Sequence, residues 1–212
     1  MTHIKIKAMK KLIIAAMCVL FAGAASAQKI GIKGGLNLSN IIKTGDNNFS
    51  TEFKPGINAG LVLEVPIVKT FSFAPELMFS QKGYKTSGSS LIGGPYDYSV
   101  TTNFIDIPIL AKFNATDKFS IVLGPQVSFL TSTTEKFTQG STSYQNTIRE
   151  ENDRLKKSIA GGVAGFGVVL SNQLDFHARY ALDFQKTNED GTRETPLYKN
   201  QVVQFGLAFK FN

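Results

Sequence analysis

The sequence predicts an all-β protein, an eight-stranded antiparallel up-and-down transmembrane β-barrel. Three observations predict it. Apolar and polar residues alternate with period two in segment after segment, the connections between segments alternate between short and long, and the composition combines 42% hydrophobic and 18% charged residues with 17 Phe and no Trp. That composition suits one packed domain and excludes a charge-rich disordered chain.

The first residues are set aside before the fold is read. Lys5, Lys7, Lys10 and Lys11 precede an uncharged apolar run from Leu12 to Ala25, and Ala25-Ser26-Ala27 supplies small residues for cleavage before Gln28. Residues 1–27 therefore read as a secretory signal peptide, because the run is shorter than the roughly 20 apolar residues of a spanning helix. Removing the four lysines lowers the formal net charge from +7 to +3. The single cysteine, Cys18, leaves with this segment, so the domain at 28–212 has no thiol for a disulfide or a metal.

Within 28–212 the strands follow in order. In the first, Ile30, Ile32, Leu36 and Leu38 alternate with Lys33 and Asn37; in the second, Ile57, Ala59, Leu61, Leu63 and Val65 oppose Asn58, Gly60 and Glu64. The third sets Phe71, Phe73, Leu77 and Phe79 against Ser72, Glu76, Ser80 and Lys82. The fourth sets Ile105, Ile107, Ile109 and Phe113 against Asp106 and Lys112, and the fifth sets Phe119, Ile121, Leu123, Val127 and Phe129 against Ser120, Gln126 and Ser128. The sixth, Ser158 to Leu170, leaves its facing open because Gly161, Gly162, Gly165 and Gly167 make both sides small. The seventh sets Leu174, Phe176, Ala178, Tyr180 and Leu182 against Asp175, His177 and Arg179; the eighth sets Val203, Phe205, Leu207, Phe209 and Phe211 against Gln204, Gly206 and Lys210.

Pro66–Thr70, Asn114–Lys118 and Ser171–Gln173 read as short turns, whereas Ser39–Gly56, Lys85–Tyr98, Thr131–Lys157 and Asp183–Asn200 read as long polar loops. Short turns on one rim and long loops on the other describe a meander of hairpins. A strand of about ten residues tilted near 45° covers roughly 24 Å, close to the apolar band of an outer membrane. A soluble barrel would place its aliphatic residues inside. Here the second face carries both signs of charge, which neutralise one another when enclosed, and the aromatic face suits lipid. Lys33, Glu64, Glu76, Asp106, Lys112 and Arg179 are thus expected to form a paired network in the lumen, with Asp106, Glu64 and Glu76 reaching Lys112, Lys33 or Arg179.

At the end of the chain, Gln204, Gly206, Phe209 and Phe211 resemble the terminal-strand signal by which outer-membrane barrels are recognised for insertion. The chain as a whole resembles the porin-family outer-membrane β-barrel domain, the PorT-like group of Bacteroidota. The resemblance is carried by Gly31-Ile32-Lys33-Gly34-Gly35-Leu36-Asn37, Pro55-Gly56-Ile57-Asn58-Ala59-Gly60, Pro75-Glu76-Leu77 with Lys82-Gly83, Phe104-Ile105-Asp106-Ile107-Pro108-Ile109-Leu110, Gly124-Pro125 and Arg179-Tyr180. Asp106 stands where the family more often has Glu. The family implies the fold and the outer membrane and no single activity; one branch takes part in protein secretion.

No catalytic, cofactor or metal site is expected. His177 and Asp175 share a face and would be a base with its orienter in a barrel enzyme, yet their place near a short turn reads as an ordinary lumen position. Gly161 to Gly167 lacks the strand and helix of a phosphate loop. Arg149 to Lys157 mixes both signs, which excludes a nucleic-acid patch. The expected function is structural or binding, through four long outward loops. The alternatives are a narrow porin-like diffusion channel, a barrel enzyme acting on lipid, and a secretion accessory protein. Expected partners are outer-membrane lipid and lipopolysaccharide, the barrel assembly machinery during insertion, and an extracellular or envelope protein. On the third strand, an arginine at Leu77 is expected to cost more than one at Ser80, which faces the polar lumen.

Overall fold

The computed structural model describes residues 28–44, 50–90, 94–149, 155–187 and 197–211, so the leader, Cys18 and most of the mixed-charge segment after Arg149 lie outside the described residues. Among the described residues nine antiparallel strands follow one another: β1 (Lys29–Thr44), β2 (Lys54–Val68), β3 (Phe71–Ser90), β4 (Gly94–Asn114), β5 (Phe119–Gln139), β6 (Thr142–Arg149), β7 (Ser158–Val169), β8 (Leu174–Asp183) and β9 (Leu197–Phe211). Eight close a ring in the order β1, β2, β3, β4, β5, β7, β8, β9, with β9 returning to β1 from Ile30↔Phe211 to Thr44↔Leu197. Closure leaves no backbone edge facing lipid, which is what a sheet needs in a medium without water. The ninth strand, β6, stands outside the ring. It pairs with the far end of β5, from Ser132↔Arg149 to Gln139↔Thr142, while the near end of β5 pairs with β7.

The count of eight strands therefore holds for the ring, and the expected loops are corrected. Lys85–Tyr98 is largely strand: β3 and β4 stay paired from Lys85↔Ser99 to Ser90↔Gly94. Thr131–Lys157 contains the end of β5 and all of β6, joined at Gly140, whose φ of 58° lies in the left-handed region that glycine adopts without a Cβ clash. Ser39–Gly56 and Asp183–Asn200 lose their ends to β1, β2 and β9. Alternation did not reveal these extensions because their outward face meets water instead of lipid, so the apolar stripe stops, and what stays buried is an inward set of mixed polarity, Ile41, Thr86, Thr133, Tyr198 and Asn200.

Inside the apolar band the two faces are as the alternation requires. Leu36, Leu61, Leu77, Ile109, Leu123 and Leu207 are exposed on the outside of the ring, while Lys33, Glu76, Asp106, Gln126, Ser128 and Arg179 are buried within it. The outward apolar face of β3, from Phe71 to Phe79, corresponds to about 26 Å of strand at ~3.3 Å per residue, which tilts to fit an apolar band of roughly 25 Å. The facing left open for the Gly-rich strand is decided by its neighbours: Ile159 and Val163 are buried in the lumen, and Ala160, Ala164 and Phe166 face outward.

One irregularity changes which residues point inward. On β4 and β5, Asn103 pairs with Ser132 but Phe104 pairs with Leu130, so Thr131 is an extra residue on β5. A β-bulge of this kind shifts the side-chain parity by one. Below it Gln126 and Ser128 are buried; above it Thr133 is buried instead. The Thr131 hydroxyl donates to Asn103 O at 3.0 Å and holds the bulge.

Candidate functional site

The lumen is the most elaborated part of the molecule, and it is built in layers from the inward residues of every ring strand. Nearest the short turns, Lys112 Nζ lies 2.8 Å from Glu64 Oε2, and Lys210 Nζ lies 3.7 Å from the same oxygen while pairing with Asp175 Oδ2. One layer further in, Glu76 is gripped by two cations. Lys33 Nζ donates to its Oε1 at 2.7 Å, and Arg179 donates Nη1 to Oε2 at 2.7 Å and Nη2 to Oε1 at 2.8 Å. Sequence neighbours did not bring these together: Arg179 and Glu76 reach across the ring from β8 and β3. The bidentate fork fixes both planes, which one lysine would not do.

Beyond this lies a neutral amide layer. Asn37 Nδ2 donates to Ser80 Oγ at 3.0 Å and to Gln81 O at 2.9 Å, while its Oδ1 accepts from Asn58 Nδ2 at 2.7 Å and Gln204 Nε2 at 3.2 Å. Next comes Lys82, 1% exposed, which donates to Asp106 Oδ1 at 3.1 Å and to Ser128 Oγ at 3.0 Å, lies 3.9 Å from Asp183 Oδ1 and stands 4.7 Å above the Phe104 ring. Asp183 accepts a further bond from Asn200 Nδ2 at 2.8 Å. Burying ions costs several kcal/mol each unless partners replace their water. Lys82 has two carboxylates, a hydroxyl and a ring face in place of it.

Of the six expected network residues, the structure brings Lys33, Glu76 and Arg179 into one cluster and Glu64 and Lys112 into another. Asp106 departs from expectation. It pairs with Lys82 on the neighbouring β3, because Met78↔Asp106 and Lys82↔Thr102 put the longer lysine within reach on the same face, whereas Lys33, Lys112 and Arg179 serve the layers nearer the turns. Lys82, Asp175 and Lys210, which the sequence places on the polar face without assigning them partners, join the network together with Asp183. Asp183 was readable by running Asp175, His177 and Arg179 forward two more alternations; assigning it to a loop hid it.

The lumen is also less polar than expected. Ala74, Leu110, Val122, Val163, Ala181 and Val202 form an inward apolar cluster, and toward the long loops Ile41, Tyr84, Val100 and Tyr198 form a second, with Tyr98 packed against it. A cavity of about 60 Å³ remains at the short-turn end, beside Lys33, Glu76, His177 and Arg179.

His177 and Asp175 do share the inner face, but Asp175 is taken by Lys210, and His177 Nδ1 has no hydrogen-bond partner. The carboxylate that would orient a catalytic imidazole is therefore not on it. Among the described residues no three His, Cys, Asp or Glu side chains gather as metal ligands would. The terminal-strand residues lie on β9. Gln204 points inward to Asn37, Phe209 and Phe211 face outward with ring centroids 5.7 Å apart, and Gly206 sits against β1. A Cβ at Gly206 would collide with Gly34 O and stand 2.7 Å from His177 Cε1, so the close approach of β1 and the room for the imidazole both require glycine there.

A closed ring of strands with an apolar exterior and an ion-paired interior is the construction of a small outer-membrane barrel. The chain belongs to the outer membrane protein beta-barrel domain family, whose model matches residues 25–189. No curated protein matches its sequence significantly. Among solved structures it is similar to Ail, the attachment invasion locus protein of Yersinia pestis, at 12% identity over 86% of this chain and 98% of that one, with a TM-score of 0.49. Neisserial surface protein A is similar at 12% identity over 86% and 97%, with a TM-score of 0.49. The outer membrane protease OmpT of Escherichia coli is similar at 8% identity over 87% and 96%, with a TM-score of 0.38.

Proposed function

We propose that this outer-membrane protein is a non-enzymatic barrel with a closed lumen, whose extended strands and long loops serve a structural or binding role at the cell surface. The observation that carries this reading is the filling of the bore. Glu76 locks Lys33 and Arg179 together across the ring, Lys82 bridges Asp106 and Asp183, and Tyr84 and Tyr198 close the end beyond them. Eight strands leave an interior that side chains can fill. A diffusion channel needs a continuous wet path, and paired charges stacked in layers block one.

Planar-bilayer recording of the refolded protein tests this: no stepwise conductance is expected, and reproducible unitary steps would establish the channel instead. The long-loop end faces outward and the short turns face the periplasm. A protease site inserted beside Gly140 is expected to be cut on intact cells, and cutting only after the outer membrane is breached would reverse the orientation. Lys85, Lys136 and Lys199, on outward positions of the strands beyond the apolar band, suit contact with the phosphates of lipopolysaccharide. The motif resemblance supports a place in the PorT-like group, and the terminal strand supports recognition by the barrel assembly machinery. An extracellular or envelope protein is the partner proposed for the loops.

A further inference from the structure

We propose that the short-turn half of the lumen is a binding site for a small inorganic anion. The charges there do not balance. Lys33, Lys112, Arg179 and Lys210 enclose the cavity, with Lys29 at its rim, against the three carboxylates of Glu64, Glu76 and Asp175. Each carboxylate is already bound by at least one of these cations. The surplus at this end is therefore positive, and the compensating negative charge lies further along the bore, where Lys82 stands against both Asp106 and Asp183; a buried cation is costly until an opposite charge joins it at its own layer.

Independent of the charge count, two buried side chains have unused hydrogen-bonding atoms at this place. Arg179 spends both terminal nitrogens on Glu76, and its Nε–H is buried without a partner. His177 is 5% exposed, lines the cavity, and has no partner at Nδ1, which donates when the proton sits there. A third unpaired atom, Asp175 Oδ1, is an acceptor that would repel an anion in contact with it. That places the anion on the Arg179 and His177 side, with Lys33 supplying charge.

The space is adequate. The cavity holds about 60 Å³, against the roughly 10–15 Å³ that one water needs on the same measure. A chloride with a water or a phosphate fits. Charged donors aimed at a small anion in a low dielectric are the strong kind of hydrogen bond. The site rests on the closed-lumen reading for its low dielectric, and the experiment below reads anion binding directly, so its failure is distinct from the appearance of conductance.

The test uses the refolded full chain with His3→Gln, which leaves His177 as the single imidazole. Its ring resonance is followed by NMR in micelles during titration with sodium chloride, sodium phosphate, or sodium gluconate at matched ionic strength. A saturable shift in chloride or phosphate, absent in gluconate, is expected, and the salt that saturates at lower concentration identifies the preferred anion. Arg179→Lys keeps the charge and removes Nε, so it is expected to raise the half-saturation concentration about tenfold. If that variant does not refold, Lys112→Gln on the opposite wall reads the same effect through charge. A shift equal in all three salts, an unsaturable drift, no shift at all, or an unchanged half-saturation in the variant that refolds would each overturn the proposal.

Discussion

The two ends of the lumen are lined by the same strands with the same alternation, yet they are closed by different physics. At the short-turn end the inward residues are Lys33, Glu64, Glu76, Lys112, Asp175, Arg179 and Lys210, joined by ion pairs. At the long-loop end they include Ile41, Tyr84, Val100 and Tyr198, with the two tyrosine rings 5.6 Å apart and edge to face, beside the buried but uncharged Thr86, Thr133 and Asn200. The charged end lies where lipid surrounds the ring, so each ion is obliged to find its partner inside. The aromatic end lies where strands have left the apolar band, and rings packed with aliphatic side chains close it. A charge network is intolerant of losing one member, because the others stay buried and unpaired. An aromatic cluster loses only the contacts removed.

That contrast orders the expected effects. Glu76→Ala strands Lys33 and Arg179 without their carboxylate, and is expected to cost about 3–5 kcal/mol in refolding titrations with lipid vesicles. A loss near zero would show that the network is dispensable and erase the difference between the two ends. Leu77→Arg, on the lipid face of the same strand, is expected to cost about 2–4 kcal/mol by the same measurement. Ser80→Arg does not offer the mild comparison that a polar face promised. Ser80 is fully buried and accepts from Asn37, so an arginine there displaces the amide layer, and a cost at least equal to that at Leu77 is expected.

Gly206→Ala probes the charged end sterically. With Gly34 O and the His177 ring in the way of a Cβ, about 1–3 kcal/mol is expected, and a neutral result would mean that β1 and β9 give way freely. The smallest effect belongs to the aromatic end. Tyr198→Leu is expected to forfeit about 0.5–1.5 kcal/mol of ring contact and to leave the protein non-conducting in bilayers, because the Lys82 and Glu76 layers remain beneath it. Conductance in this variant would make the tyrosines, and not the ions, the barrier.

The lipid-facing and lumen-facing sets inside the apolar band were legible in the sequence, because burial there has a strict period. Ile30, Ile32 and Leu36 against Lys33 and Asn37 needed no structure to interpret. So were the places of the short turns, although Pro66 to Val68 belong to β2 and the first turn is Lys69-Thr70 alone, and the terminal strand, where Gln204 and Gly206 differ in face from Phe205 and Phe209 only by parity. What the tertiary structure alone decided depends on registry between strands. The register of β3 on β4 chose Lys82 for Asp106, and closure of the ring carried Arg179 across to Glu76. The extra residue at Thr131 inverted the facing of the upper part of β5, and β6 formed where both faces meet water and the sequence has no period to follow. Glycine spacing left the facing of β7 undetermined until Ile159 and Val163 had neighbours to bury them. A period of two reports which side of one strand is dry, whereas partners in a lumen are set by how eight strands are offset from one another, and that offset exists only once the ring has closed.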